Sequence, residues 1–347
     1  MHSFPYVSNL LGLERIPVRM EWTLANKLVF LLSLSMSPTE HTTPDAIWAL
    51  RKEFYNATVT TISPVHDDLW ILRVVTDGPL PVFQPGQYVA LGLGEWEPRV
   101  AGVDEEHHDP HGRHHLIKRA YSIACSLLDR EGKLVRANHC PYLEFYISLV
   151  RHGATRPPAL TPRLFLLQEG DRLFVEEKAR GNYTLEGVGE DDDVLFLATG
   201  TGEAPHNAML AELLARSHRG HIVSAVCVRV RQEAAYRQVN EELARKHSNY
   251  QYFAMTTREP ENLDPRHPQF VGKRYLQDFV ASGDLERQTE MSLRPERRHV
   301  FLCGNPDMIG VQRGAIVPGA MADLLAKRGF RLDQPHAPGN LHVEHYW

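Results

Sequence analysis

Arg119, Ala120, Tyr121 and Ser122 set a cation, an aromatic face and a hydroxyl side by side on a stretch that reads as a strand. A tyrosine ring stacks on a flat heteroaromatic ligand at little entropic cost. A serine hydroxyl both donates and accepts, and an arginine fork neutralises a phosphate. Further along, residues 194–198 are apolar throughout and run into Thr199, Gly200, Thr201 and Gly202. A buried strand that breaks into a glycine turn ahead of a helix is how backbone approaches a pyrophosphate. Cys303, Gly304, Asn305, Pro306 and Asp307 follow the last apolar run, and such a turn can reach a ribose or a nicotinamide through its backbone. The Cys303 thiol reads equally as part of that site or as a small buried hydrophobe.

Arg229 and Arg258 end two more strand-like runs, Thr257 precedes the second, and Lys273 and Arg274 follow Gly272. Open α/β sheets bind ligands beyond the carboxyl ends of their strands. Cations converging there suit a 2′-phosphate, hence NADP rather than NAD. Taken in order, these groups predict a flavin and a nicotinamide cofactor on successive domains.

The elements that must carry them fall into two grammars. Residues 57–62, 69–75, 87–91, 120–124, 143–150 and 172–175 are short β-type runs separated by turn signals such as Pro85-Gly86 and Gly170-Asp171. That pattern predicts an antiparallel barrel. Thr161-Pro162 reads as the cap and first position of a small helix, and its N–H groups as a phosphate seat. From residue 193 the order becomes strand–helix–strand, with strands at 194–198, 222–228, 250–256 and 300–303 and helices at 204–217, around 236–243 and over 308–328 despite Pro318. This predicts a doubly wound parallel sheet. The expected division is an N-terminal extension (1–53), a flavin-binding barrel (54–190) and an NADP-binding α/β domain (191–347).

The formal net charge is −5, with 43% hydrophobic and 23% charged residues, so a soluble globular chain is expected and nothing global points to nucleic acid. Cys125, Cys140, Cys227 and Cys303 are widely spaced without a Cys-x-x-Cys pair, which argues against zinc or an iron–sulfur cluster and for reduced thiols in the cytoplasm. Residues 28–36 are apolar but too short to span a bilayer. An early start codon, with Met36 as the true start, is favoured over a loose extension or an export signal. His107, His108, His111, His114 and His115, with Asp109, crowd one long loop, which reads as solvated and pH-sensitive rather than as a metal site.

Assembled, the motifs resemble the bacterial ferredoxin–NADP⁺ reductases over residues 54–347. The resemblance rests on the Arg-Ala-Tyr-Ser run, Thr161 to Leu164 with Gly170-Asp171, and the Thr-Gly-Thr-Gly turn. It rests also on Arg229 seven residues before Tyr236, on Thr257-Arg258-Glu259, Gly272-Lys273, Cys-Gly-Asn-Pro and the ending Val343-Glu344-His345-Tyr346-Trp347. It implies FAD held by Arg119, Ala120, Tyr121, Ser122, Tyr146, Ser148, Thr161 and Thr201, with Trp347 as the aromatic that covers it. It implies NADP held by Gly200, Gly202, Arg229, Thr257, Arg258, Lys273, Arg274, Gly304, Asn305 and Asp307. Tyr121, Ser122, Glu203 and Cys303 are expected beside the reacting atoms.

Lys273 stands where arginine is usual, so either a point charge replaces a fork or Arg274 takes over. Glu203, Ala204, Pro205 and His206 depart from the usual apolar step and are expected to bring a carboxylate and an imidazole near the nicotinamide. With no cluster-ligating cysteines, the one-electron carrier is expected to be a separate acidic ferredoxin or flavodoxin, docking at Arg151, Arg156 and Arg163. The alternatives are an oxygenase-feeding or general flavin reductase and, in another class, a non-catalytic redox-responsive flavoprotein.

Overall fold

The computed structural model describes residues 43–106, 114–153 and 155–346. The expectations for residues 1–35, for His107, His108, Asp109 and His111, and for Trp347 lie outside the described residues. Of the first fifty residues only the opening turns of helix α1 (Pro44–Phe54) are described, with Asp45 in its first turn; Arg51 and Lys52 in its last turn complement the helix dipole.

Six strands follow: β1 (Ala57–His66), β2 (Leu69–Thr76), β3 (Tyr88–Gly94), β4 (Leu116–Ser122), β5 (Leu143–Ser148) and β6 (Arg172–Val175). They form one antiparallel sheet in the order β4-β3-β6-β1-β2-β5. Beyond the end of β4, Ala124 pairs with Glu144 of β5, and its N–H donates to the Glu144 carbonyl at 2.8 Å. The two edge strands therefore meet at this end and the sheet curls toward a barrel, leaving β4 before residue 122 with a free edge. Its interior is apolar, with Val59, Leu72, Leu91, Phe145 and Val175 buried. The short helix α2 (Thr161–Leu164) starts with Leu160 as its cap residue, so Thr161 is its first helical position rather than its cap. The Thr161 hydroxyl instead accepts from the Val150 N–H at 3.1 Å.

The second half is strand–helix–strand: β7 (Asp193–Thr199), α3 (Glu203–Ala215), β8 (Ile222–Val228), α4 (Arg237–Lys246), β9 (Tyr250–Thr256), α5 (Pro260–Leu263), α6 (Leu276–Ala281), α7 (Asp284–Thr289) and β10 (Arg298–Gly304). The expected helix over 308–328 is absent. Helix α8 (Pro306–Ile309), a hairpin of β11 (Val311–Gln312) and β12 (Ala315–Ile316), and α9 (Met321–Ala326) stand in its place. The chain breaks at Gly310, whose φ is +72° and whose missing side chain lets Ala320 approach: a Cβ there would lie 2.0 Å from that of Ala320.

Strand β13 (Leu341–His345) completes a parallel five-stranded sheet ordered β13-β10-β7-β8-β9. Every residue of β8 is buried, as expected when both faces of a parallel sheet are covered. Phe196, Ala208, Ile222, Leu243 and Phe301 pack on the face that carries α3 and α4. Leu197, Ala225, Phe279, Leu302 and Leu325 pack on the other, under α6 and α9.

Candidate functional site

Strand β4 is paired with β3 through Tyr88–Ser122, Val89–Tyr121, Ala90–Ala120 and Leu91–Arg119. Lys118, Arg119 and Ala120 are exposed in succession, Tyr121 is half-buried and Ser122 is buried. Three consecutive exposed residues mean that neither face of the strand is covered there. A flat ligand thus finds an open backbone edge, a cation and, one residue on, a ring that packs edge-on against Phe145 at 6.5 Å.

Two glycine turns confront each other across the parallel sheet. After β7 the chain makes a single 3₁₀ turn, Gly200–Gly202, before α3. A Cβ on Gly202 would lie 2.4 Å from the Cys303 carbonyl oxygen, and one on Gly304 would lie 2.3 Å from Thr199 Oγ1. The Asn305 N–H donates to the same Thr199 oxygen at 2.7 Å, and the Asn305 side chain accepts from the Asp307 N–H at 2.8 Å. Only glycines permit this contact, and it fixes both turns at the carboxyl ends of their strands.

A cleft of about 750 Å³ opens along these turns. Thr199, Gly200, Thr201, Asn305 and Asp307 line one stretch, Arg229, Thr257, Arg258 and Lys273 another, and Asp68, Leu69, Ser148 and Leu149 come from the antiparallel sheet. Arg229 is held from behind: its Nε donates to Glu233 Oε1 at 2.6 Å and its N–H to Glu233 Oε2 at 2.8 Å. The Arg258 N–H donates to the Arg229 carbonyl at 2.7 Å, which ties the ends of β8 and β9 together. The guanidinium of Arg258 and the ammonium of Lys273 take part in no hydrogen bond or ion pair among the described residues. Arg274 does not line the cleft; it is paired with Asp284, so Lys273 alone presents the cation after Gly272.

The reacting-atom residues are only partly where they were expected. Ser122 and Cys303, from the two sheets, come together: the Tyr346 hydroxyl is hydrogen-bonded to both. Cys303 is fully buried, and burial, with the Glu344 carboxyl nearby, pushes its thiol well above the ordinary value. Glu344 is itself pushed up to about 7 by burial. Sequence reasoning fixed on Trp347 and missed Glu344 and Tyr346, three places and one place upstream, although both stand in the quoted ending. Glu203 corrects the reading more sharply. It is buried, it does not line the cleft, and its carboxyl turns toward Asn240 and Tyr252.

His206 is likewise inside, with Nε2 2.7 Å from the Tyr183 hydroxyl, and burial lowers its imidazole to about 3. Tyr146 is also a packing residue: it meets Tyr236 edge-on at 5.3 Å and donates to the Glu233 carbonyl at 2.5 Å. Of the expected docking cations, Arg156 is exposed and Arg151 is paired with Asp68 at 2.6 Å. Arg163 is buried against Glu106 at 2.7 Å and the carbonyls of Glu95 and Ala159, so no partner can reach it. Among the described residues no cluster of three or more His, Cys, Asp or Glu side chains is arranged to hold a metal ion.

A barrel with an open strand carrying Arg119, Tyr121 and Ser122, joined to a parallel sheet whose cleft presents Arg229, Arg258 and Lys273, defines a two-cofactor flavin–nicotinamide reductase fold. A model of the oxidoreductase NAD-binding domain family matches residues 196–314. The chain is 25% identical over 280 residues to a flavodoxin/ferredoxin–NADP reductase of Buchnera aphidicola, covering 80% of this chain and 93% of that one. It is 26% identical over 292 residues to the enzyme of that name from Escherichia coli, covering 83% and 97%. A crystal structure of a ferredoxin NADP⁺ reductase from Neisseria gonorrhoeae with bound FAD and NADP superposes with a TM-score of 0.63 at 18% identity, covering 84% of this chain and 98% of that one. Over about four fifths of its length the chain is similar to reductases of the ferredoxin–NADP⁺ type.

Proposed function

We propose that the protein moves electrons between NADP(H) and a one-electron carrier, ferredoxin or flavodoxin, by way of bound FAD. The observation that carries this reading is the meeting of Ser122 and Cys303 at Tyr346, at the junction of the two sheets, with the cationic cleft alongside. Bound FAD supplies the exchange between two-electron hydride chemistry and one-electron transfer. The chain supplies position and charge.

In this reading residues 54–190 form the flavin half and 191–347 the nucleotide half. Arg119, Ala120, Tyr121 and Ser122 hold the flavin from the open face of β4, with Ser148, Thr161 and Thr201 along its length. The Gly200–Gly202 turn at the amino end of α3 faces the pyrophosphate of NADP(H), and the Gly304-Asn305 turn seats its nicotinamide end. Thr257, Arg258 and Lys273, with Arg229 braced by Glu233, take the 2′-phosphate. Among the described residues neither Lys273 nor Arg258 is paired, so they offer that phosphate two charges whose binding breaks no ion pair seen there, which favours NADPH over NADH. Ser122, Cys303, Glu344 and Tyr346 surround the place where hydride changes hands. Glu344, raised to about 7, can carry a proton there at neutral pH.

Among the described residues no helix is long and apolar enough to cross a membrane, and four separated thiols suit the reduced cytoplasm. Arg151 and Arg156 remain as cations for an acidic carrier. The test is reduction of a panel of ferredoxins and flavodoxins by NADPH with the FAD-loaded protein. Selective, salt-sensitive turnover with one carrier is expected; NADPH oxidation that passes to none of them would contradict the reading.

A further inference from the structure

Glu203 is the first residue of α3, next to the turn that faces the cleft, yet its carboxyl lies in the core. Its Oε1 accepts from the Tyr252 hydroxyl at 2.9 Å and from Asn240 Nδ2 at 3.3 Å. Asn240 also reaches Asn207 Oδ1 at 3.4 Å, and its own oxygen accepts from the Tyr250 hydroxyl at 2.9 Å. Asn207 lies one turn along the same face of α3. Two atoms in this network are buried without any partner: Glu203 Oε2 and Asn207 Nδ2.

The groups facing the carboxyl come from every element around it. Tyr250 and Tyr252 stand on β9, Tyr236 just before α4 and Tyr146 on β5. Behind the last two lie Glu144, bonded to Tyr236 at 3.1 Å, and Glu233, whose carbonyl holds Tyr146. On α4, Arg237 pairs with Glu241 and Lys246 with Glu242 at the surface, and Arg245 is exposed. No lysine, arginine or histidine among the described residues compensates the carboxyl, and burial pushes it up to about 7. A polar group so placed is costly when charged. It is therefore poised between two states at the pH where the protein works.

The position gives that proton a consequence. The amino end of α3 carries the partial positive charge that the cleft turns toward an anionic ligand. A carboxylate one residue past Gly202 opposes that charge from inside the core, where water screens little. We propose that Glu203 couples nucleotide binding to proton uptake: as the neutral acid it leaves the positive end of α3 to the phosphates of NADP(H), and as the carboxylate it competes with them. The inference rests on the nucleotide reading above and makes Glu203 a positioning residue rather than a catalytic one. Linkage makes the effect reciprocal, so NADP⁺ binding raises the affinity of Glu203 for its proton.

The test uses the FAD-loaded protein and its Glu203→Gln variant, which keeps the shape and stays neutral. NADP⁺ binding is titrated from pH 6 to 8.5, and proton uptake is read at pH 7.5 by calorimetry in buffers of different ionisation enthalpy. The 2′-phosphate releases protons on meeting cations, so the readout is the difference between the two proteins. The wild type is expected to lose about tenfold in affinity relative to the variant as pH rises, the size of one pK unit, and to take up a fraction of a proton that the variant does not. Glu203→Leu, which removes the polar group from the core, should behave like Glu203→Gln if the latter folds poorly. Identical pH profiles and identical proton counts would overturn the coupling. Failure of NADP⁺ to bind either protein at any pH would instead overturn the nucleotide reading, and the coupling with it.

Discussion

Gly202 and Cys303 touch backbone to backbone: a Cβ on Gly202 would stand 2.4 Å from the Cys303 carbonyl oxygen. Neither partner is a flexible side chain, so nothing nearby can swing away. Gly202→Ala must push the turn after β7 away from the turn after β10, at a cost of about 1–3 kcal/mol. The expected result is a marked loss of NADP⁺ affinity, read by difference absorbance, with FAD content retained. An alanine variant that binds NADP⁺ like the wild type would show that the two turns do not act together.

Arg258 and Lys273 are expected to carry the choice of nucleotide. Removing either should raise the KM for NADPH by about tenfold or more, since a charge-assisted bond is worth about 1.5–3 kcal/mol, and should leave the KM for NADH nearly unchanged. Arg274→Ala should spare both constants, because Arg274 is spent on Asp284. An Arg274 variant that loses NADPH selectivity would reverse this assignment.

Arg163 and Arg156 were grouped by sequence proximity and should separate by experiment. Arg163→Ala leaves two backbone carbonyls without their donor and Glu106 with only Arg99 at 3.8 Å, and breaking a buried pair costs about 3–5 kcal/mol. A lower denaturation midpoint is expected. Arg156→Ala should leave stability intact and slow carrier reduction, most visibly at low salt. Equal destabilisation by both substitutions would contradict the difference in burial.

His206 should make the fold sensitive to acid. Its imidazole is lowered from 6.5 to about 3 by burial. A depressed base contributes stability that is fully present above 6.5 and is lost as pH falls from there toward 3, by about 1.4 kcal/mol per pH unit. Unfolding by urea at pH 7 and pH 5 should show this loss in the wild type and a smaller one in His206→Gln. An identical pH 5 to pH 7 difference in both proteins would place the acid-sensitive group elsewhere.

The fold was legible where periodicity and turn chemistry agree. The barrel runs, the largely apolar β7 and β8 and the Gly200–Gly202 turn all announce themselves. The tail of the chain was not. β13 reads as a polar ending because His342 and Glu344 sit in it, yet it is the edge of the parallel sheet and pairs with β10 throughout. Residues 308–328 look helical by composition, but Gly310, Gly314 and Gly319 take positive φ and Gly310 packs against Ala320, which breaks the helix. The residues picked for the site divide in the same way. Arg229 and Arg258, picked from strand ends, line the cleft, and Arg119, picked from its motif, is exposed on β4. Glu203, Arg163 and Tyr146 were misplaced because side-chain direction and burial are set by the packing of distant elements. Glu344 and Tyr346 were in view but outweighed by the terminal tryptophan.

The central claim is that Ser122 and Cys303 mark the junction where NADPH meets bound FAD. Its most direct test is anaerobic mixing of the purified, FAD-loaded protein with NADPH and, separately, NADH, with the visible flavin absorbance followed through a single turnover. The account predicts a yellow protein whose absorbance bleaches rapidly with NADPH and far more slowly with NADH, with the NADPH rate cut steeply in Ser122→Ala and Cys303→Ala. A colourless protein that takes up no FAD, or one bleached equally by both nucleotides, would contradict it.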